Sequence, residues 1–555
     1  MSLLAKFPSR FSPRPIQRQI ISDIDSALKS GYKNILLCVP TGVGKSHIGV
    51  TVAKALGTSF MVTAQKILQD QYVRDFGFVY PMKGMANFPC LELYRPRNLD
   101  YKEAALDPKM GCNFGVCTWE TTTPDGAKKK EFCKYKPSPS MFAIYGQGTE
   151  MEQIKDPLKT TCHYYNQKFK ALLATHALFN YASYFQTRLY SRGLEEFLER
   201  DCIVADEAHE IEDQIIAYIG IDIIPSYVTD AGQQFDDFAT DDVDGIMELL
   251  DSLGDSYTKI IRRIEMDDPR TDQTQRLRNR RDAIDMSLLE IKENPDNFVV
   301  QEYRDAAGEI ARISVKPIEV GKYTKRFFDR PHQLFMSATI NKERFCRTMD
   351  IPESDCAFIE VESSPFPVSN RRIKFHNVRW LNYRSTPQDY DAVYQKVGAI
   401  LEQYGGQKGL ILTTTKQQCN DICDIDRSRI SVAHEGVEGR REAVLKAHSK
   451  TDRPNVLVSP SFWYGVDLKD DLSRFQIIVK TPYLSMADKR TRIKAQRDNE
   501  WYRYAALVKL LQGFGRSVRN ENDYCDTHVL DGASWSLLHS LKKYVPKAYY
   551  DSLGW

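Results

Sequence analysis

No stretch of this sequence approaches the roughly 20 consecutive apolar residues that a membrane-spanning helix needs, which excludes a helical membrane protein. The start, MSLLAKFPSRFSPRP, has scattered basic residues but lacks the long apolar core and cleavage pattern of a secretory leader. Net charge is scarce too. The 76 Lys and Arg stand against 74 Asp and Glu, giving +2, so the chain as a whole has no basic nucleic-acid signature and any basic surface must be local. These absences imply a cytoplasmic or nucleoid-associated protein with no membrane partner. Apolar residues make up 42% and charged residues 27%, a balance that fits folded domains rather than a disordered chain.

At 555 residues the chain exceeds what one hydrophobic core supports, and about 100–200 residues per domain predicts several units. Its 12 cysteines are no disulfide framework in a reducing compartment. They are unevenly spread. Cys90, Cys112, Cys117, Cys133 and Cys162 share one segment, whereas Cys38 and Cys202 read as small buried strand residues and Cys419 and Cys423 lie one helical turn apart. The cluster calls for a metal.

The segment NILLCVPTGVGKSHIGV is an apolar run, a glycine-rich turn and a helical stretch, the context of a phosphate-binding loop. Thr41, Gly42, Val43 and Gly44 form the turn, where the glycines let backbone N–H groups face phosphates. Lys45 is placed to reach the β- and γ-phosphates and Ser46 to put its hydroxyl on Mg²⁺. Val39 stands where the general pattern has its first glycine, yet PTGxGKS is the form helicases use. Far downstream, DCIVADEAHE is a short buried strand ending in Asp206-Glu207-Ala208-His209. The reading assigns Asp206 to Mg²⁺ and Glu207 to the attacking water. An ordinary helix start capped by Asp206 is the rival, weakened by the loop that pairs with it.

From this pair onward the sequence resembles superfamily 2 DNA helicases, in the motif order such motors require. Gln17 in RPIQRQI precedes the loop where relatives place a glutamine near the adenine; VTAQKILQDQ (Val62 to Gln71) looks like the strand-contacting motif Ia; and Ser337-Ala338-Thr339 is similar to motif III. KGLILTTTKQQ (Lys408 to Gln418) looks like motif IV. Ser461, Phe462, Trp463, Gly465 and Asp467 resemble motif V, its last two beside the nucleotide. Gln512, Gly513, Gly515, Arg516 and Arg519 match QGxGRxxR of motif VI. An arginine delivered from the second lobe stabilises the transferring phosphoryl group only when the cleft closes. By resemblance Arg519 is the likelier finger and Arg516 the γ-phosphate contact.

The cysteine segment starts at KGMANFPC and ends at TTCHYYNQKFKALLATH. Cys112 and Cys117 make one zinc-like pair but no second pair follows, with His163 keeping a mixed zinc site open. The wide cysteine spacing and the Cys162-His163-Tyr164-Tyr165 end resemble the iron-sulfur domain of the XPD and DinG helicases, which implies a four-iron four-sulfur cluster on four of the five cysteines. Cys112 and Cys117 compete for the second position. Lys128, Lys129, Lys130, Lys134 and Lys136, interleaved with Phe132 and Tyr135, read either as a duplex-splitting wedge or as a solvated run. From about Ile211 to Val320 the pattern is charged and helical, placed where that family carries its arch.

The expected fold is α/β: two RecA-like parallel-sheet motor domains, the first carrying an iron-sulfur and an arch insertion. Expected boundaries are 1–85, 166–212 and 323–364 for the first motor domain and linker, 86–165 for the cluster, 213–322 for the arch and 365–555 for the second motor domain. The resemblance implies a monomeric ATP-dependent helicase moving 5′ to 3′ on single-stranded and forked DNA. A translocase that strips proteins without unwinding would have the same motifs, and a non-catalytic redox scaffold would not need Lys45.

Overall fold

Runs of four to six residues rich in Val, Ile, Leu and Phe suit strands covered by helices on both faces, and they build two parallel sheets. The computed structural model describes residues 2–64, 66–122, 128–137, 162–190, 199–267, 272–433 and 440–555. In chain order its strands are β1 (Asn34–Cys38), β2 (Ser59–Thr63), β3 (Tyr80–Met82), β4 (Thr118–Thr122), β5 (Lys128–Phe132), β6 (His176–Asn180), β7 (Cys202–Asp206), β8 (Ile221–Ile223) and β9 (Phe298–Arg304). There follow β10 (Ile310–Pro317), β11 (His332–Ser337), β12 (Cys356–Glu360), β13 (Ile373–Arg379), β14 (Gly409–Leu412), β15 (Ile430–Val432), β16 (Val456–Ser459), β17 (Phe475–Ile478) and β18 (Asp526–Asp531).

The first sheet runs β12-β1-β11-β7-β2-β6-β3 and the second β13-β18-β17-β14-β16-β15, every pairing parallel. Parallel strands joined by crossovers put all their C-terminal ends on one edge of the sheet. In the first sheet the register sets Cys38 opposite Ser337 and Met336 opposite Asp206. Three motifs far apart in sequence, after β1, β7 and β11, thereby reach neighbouring strand ends.

Two buried ionic contacts tie the lobes. Arg344, 2% exposed, donates to Asp498 at 2.8 Å, the residue that caps the helix Asn499–Phe514. Glu212, on the helix Ile211–Ile219 that follows the acidic motif, accepts from Arg490 and Lys494 at 2.6 Å each and from the Trp501 indole at 3.2 Å. Burial alone would raise the Glu212 carboxyl, but Lys494 and Arg490 outweigh it and hold it down at about 2. A carboxylate this enclosed stays charged only because it is fully paired.

The segment between β3 and β6 contains the antiparallel hairpin β4–β5. Between β7 and β11 lie the long helices Val243–Asp267 and Asp272–Glu293, packed against each other as the helical pattern predicted. The all-helical reading of Ile211 to Val320 needs correction, because β8-β10-β9 form a separate antiparallel sheet there. Two β-branched runs, FVV and ISV, flank a turn in which Gly308 adopts φ +88° and donates to the Asp305 carbonyl at 3.1 Å. No helix among the described residues is long and apolar enough to cross a membrane.

Candidate active site

At the end of β1 the chain turns through Gly42 (φ +87°) and Gly44 (φ +92°) into the helix Lys45–Leu56, whose first turn has neither a side-chain cap nor an acid. Its leading N–H groups form an anion site. Both glycines are required. A Cβ on Gly42 would lie 2.0 Å from the Phe366 ring, and one on Gly44 would lie 2.4 Å from Gln17 Nε2. Gln17, expected beside an adenine, is seated on the loop itself: it donates to the Val43 carbonyl at 2.8 Å and accepts from the Arg14 backbone at 2.9 Å. Arg14 donates to the Gly42 carbonyl at 2.8 Å, and Thr41 faces Gly515 of the second lobe. Gly42→Ala should lower stability by about 2–4 kcal/mol, from the left-handed φ and the ring clash. Gly406→Ala, in open space, should be neutral in the same denaturant titration.

Asp206 ends β7. Its Oδ2 accepts from the buried Tyr72 hydroxyl at 2.9 Å and its Oδ1 from the Glu207 N–H at 3.0 Å. It caps no regular helix, so the rival reading fails. Burial, then the charge of Glu207, pushes its carboxyl up to about 6, against Lys45 and Tyr72. Glu207 takes a left-handed φ of 52°, a conformation stored at functional turns. Its Oε2 is buried without a hydrogen bond, 3.4 Å from His209 Nδ1. Burial would raise the Glu207 carboxyl, yet the cations Lys45, Arg516 and Arg519 outweigh it and hold it below its usual value. Groups from both lobes thus share one electrostatic site.

A line of hydrogen bonds joins them. His209, pushed down to about 4 by burial and so neutral, shares a 2.9 Å bond with Ser337 Oγ. Ser337 Oγ accepts from the Thr339 N–H at 3.1 Å, and Gln512 donates to Thr339 Oγ1 at 3.0 Å. Arg516 donates to Gln512 Oε1 at 2.9 Å, and burial pushes its guanidinium down to about 10. Arg519 is bonded to Asp467 at 2.7 Å, following the left-handed Gly465. Trp463 donates to the Thr413 carbonyl at 2.8 Å and packs on Gly513, joining the segments read as motifs IV, V and VI. Gln65 of motif Ia lies outside the described residues. Sequence reasoning missed Tyr72 and Phe366, whose only signal is burial of an aromatic on the first lobe or linker.

The cysteine segments are laced by backbone bonds: Cys90 to Met110, Cys112 to Phe88 and Cys162 to Tyr135 at 2.7 Å each, and Cys133 to Cys117 at 3.2 Å. Cys90, Cys117, Cys133 and Cys162 line one small cavity with Tyr135, Lys136 and Tyr165. Cys112, 1% exposed, packs with Cys90 and Cys162, its Sγ directed at the Pro89 carbonyl at 3.5 Å and 3.9 Å from Cys162 Sγ. His163 turns away to the Tyr94 hydroxyl at 3.3 Å and the Tyr101 ring. Among the described residues no group of three or more His, Cys, Asp or Glu is set to hold a metal ion. The side chains of Lys128 and Lys130, part of the basic run, lie outside the described residues.

Two family models match the chain: a helicase C-terminal domain over residues 400–548, and the res subunit of type III restriction enzymes over residues 10–229. No curated protein matches by sequence. Among solved structures, one titled XPD_Helicase is 15% identical, covering 96% of this chain and 98% of its own, with a TM-score of 0.62. XPD_APO gives 15%, 95%, 98% and 0.58, and the structure of S. tokodaii Xpd4 gives 14%, 95%, 98% and 0.56. The two matched segments fall on the two lobes in this order, residues 10–229 resembling the res subunit and residues 400–548 a helicase C-terminal domain, and the chain as a whole has the XPD fold.

Proposed function

We propose that this protein is a DNA helicase that moves 5′ to 3′ along a single strand and separates duplexes, with insertions at 86–165 and 213–322 on its first motor domain. The observation that carries it is the unbroken line from His209 through Ser337, Thr339 and Gln512 to Arg516. Lys45 and the N–H groups opening its helix hold the phosphates, with Thr41, Gly42, Val43 and Gly44 shaping the turn. Asp206 and Ser46 suit Mg²⁺, since the raised Asp206 carboxyl beside Glu207 marks two acids that a divalent cation would neutralise. Glu207, ionised and with Oε2 unbonded, takes the proton of the attacking water. Arg516 and Arg519 meet the charge that develops on the transferred group. A change at the phosphates then moves the second lobe through the same bonds.

The cavity shared by Cys90, Cys117, Cys133 and Cys162 supports a four-iron four-sulfur cluster on those four thiols, with Cys112, 3.9 Å from Cys162 Sγ, as the rival second ligand. When bound, such a cluster would cross-link four separate pieces of chain. Protein purified without oxygen should contain about four irons and four sulfides per chain. Cys117→Ser should lose most of the iron and Cys112→Ser should keep it; the reverse result reassigns the second ligand. A forked DNA with a 5′ tail should be unwound and one with only a 3′ tail should not. Displacement of a bound protein without strand separation on either fork would replace unwinding by remodelling.

A further inference from the structure

The loop that leaves β13, Trp380 to Ser385, belongs to no motif read from the sequence, yet it exposes two large aromatics. Trp380 is 63% exposed and Tyr383 is 87% exposed, while Leu381 between them is buried. Such exposure runs against the hydrophobic effect unless the backbone enforces it. Here it is enforced. Asp531, fully buried at the end of β18, accepts from the Leu381 N–H at 3.1 Å, and also from the Ala533 N–H at 2.9 Å and the Thr481 hydroxyl at 2.7 Å. The Asn382 N–H donates to Ser385 Oγ at 2.9 Å and the Arg384 N–H to Asn382 Oδ1 at 2.8 Å, closing the turn. Gly532 leaves room for the indole: a Cβ there would lie 2.6 Å from Trp380 Nε1. Asp531, the last residue of β18, is therefore the anchor of this loop.

The rings come with positive charge. The Arg384 guanidinium lies 5.1 Å from the Tyr383 ring centre and has no carboxylate partner among the described residues, and Arg379 lies just upstream, 3.6 Å from Asp389. All strands of the second sheet are parallel, so this loop shares its edge with Thr413–Lys416 after β14 and Ser459–Ser461 after β16. β13 stands three places from β14 in the sheet order, about 14 Å at the usual strand spacing. A strand crossing the edge spans that distance with a few nucleotides.

Resting on the nucleic-acid motor reading, we infer that Trp380 and Tyr383 form a stacking site for unpaired bases, flanked by Arg379 and Arg384 for the backbone phosphates. Flat rings on an anchored loop beside cations bind single strands without regard to sequence.

The test measures fluorescence anisotropy of a labelled 30-nucleotide oligo(dT) against the full chain. The Trp380→Ala/Tyr383→Ala double variant should bind about tenfold or more weakly, with an unchanged circular-dichroism melt. Trp380→Phe/Tyr383→Phe should stay within about twofold, since a phenyl ring still stacks. A 5-iodouracil oligonucleotide should photocrosslink to the peptide carrying residues 380–384. Equal binding by the wild type and the double alanine variant, or crosslinks only elsewhere, overturns this site, and the aromatic pair would then be a protein-docking surface. No binding by the wild type would instead overturn the nucleic-acid reading.

Discussion

Lys45→Ala should reduce strand-stimulated ATP turnover on the order of 10²-fold or more and weaken nucleotide binding, whereas Glu207→Gln should reduce turnover as far while leaving binding nearly intact. The two residues stand at the ends of neighbouring elements, Lys45 opening the helix after β1 and Glu207 following β7, and they share one field. In the proposed mechanism Lys45 would meet the phosphates in both ground and transition states, so its loss would affect both. In the same mechanism Glu207 would act only as the water is deprotonated, and the amide of Gln fills the same space without accepting that proton. Phosphate release and a fluorescent-nucleotide titration on the same samples separate the effects. A Lys45→Ala protein with unchanged turnover would leave only a scaffold reading, because nothing else in the described site replaces an ammonium at the mouth of that helix.

The candidate site was legible because its residues sit at strand ends. A buried apolar strand followed by a glycine turn or an acidic pair is a local pattern, and β1, β7 and β11 show it within a few residues each. Their adjacency was implied by no local pattern and comes from the β1-β11-β7 order. Spacing also could not choose between Cys112 and Cys117, since side-chain direction depends on the fold of a segment with little regular structure; Cys117 lines the cavity, and Cys112 lies 3.9 Å from Cys162 Sγ. β9 and β10 were hidden in a charged stretch where the consecutive buried runs, residues 298–300 and 313–315, are only three residues long. Gln17 was placed by motif order alone, and that order cannot show that its amide serves the loop backbone first. Trp380 and Tyr383 gave no signal, because an exposed aromatic and a buried one are written alike.

Arg519→Ala should lower ATP turnover on the order of 10³-fold, the usual effect of removing an arginine finger, without lowering the melting temperature. Its side chain is partly exposed and bonded mainly to Asp467, which can be solvated once the arginine is gone. Arg516 differs. It is 7% exposed, and its guanidinium satisfies Gln512 Oε1 and the Gln512 carbonyl at 2.9 Å each. Arg516→Ala leaves Gln512 Oε1 buried and unpaired, at about 1–3 kcal/mol, while the Gln512 carbonyl keeps the Gly515 N–H at 3.2 Å, so it should lose activity and stability together. Arg516→Lys should restore much of the stability but little turnover, because an ammonium cannot span two acceptors as a planar guanidinium does. Thermal melts beside single-turnover hydrolysis distinguish the roles: loss of turnover at constant stability identifies the residue that acts on the phosphoryl group, and joint loss identifies the one that holds the second lobe to Thr339. If Arg519→Ala kept full turnover while Arg516→Ala lost it at constant stability, the two assignments would exchange.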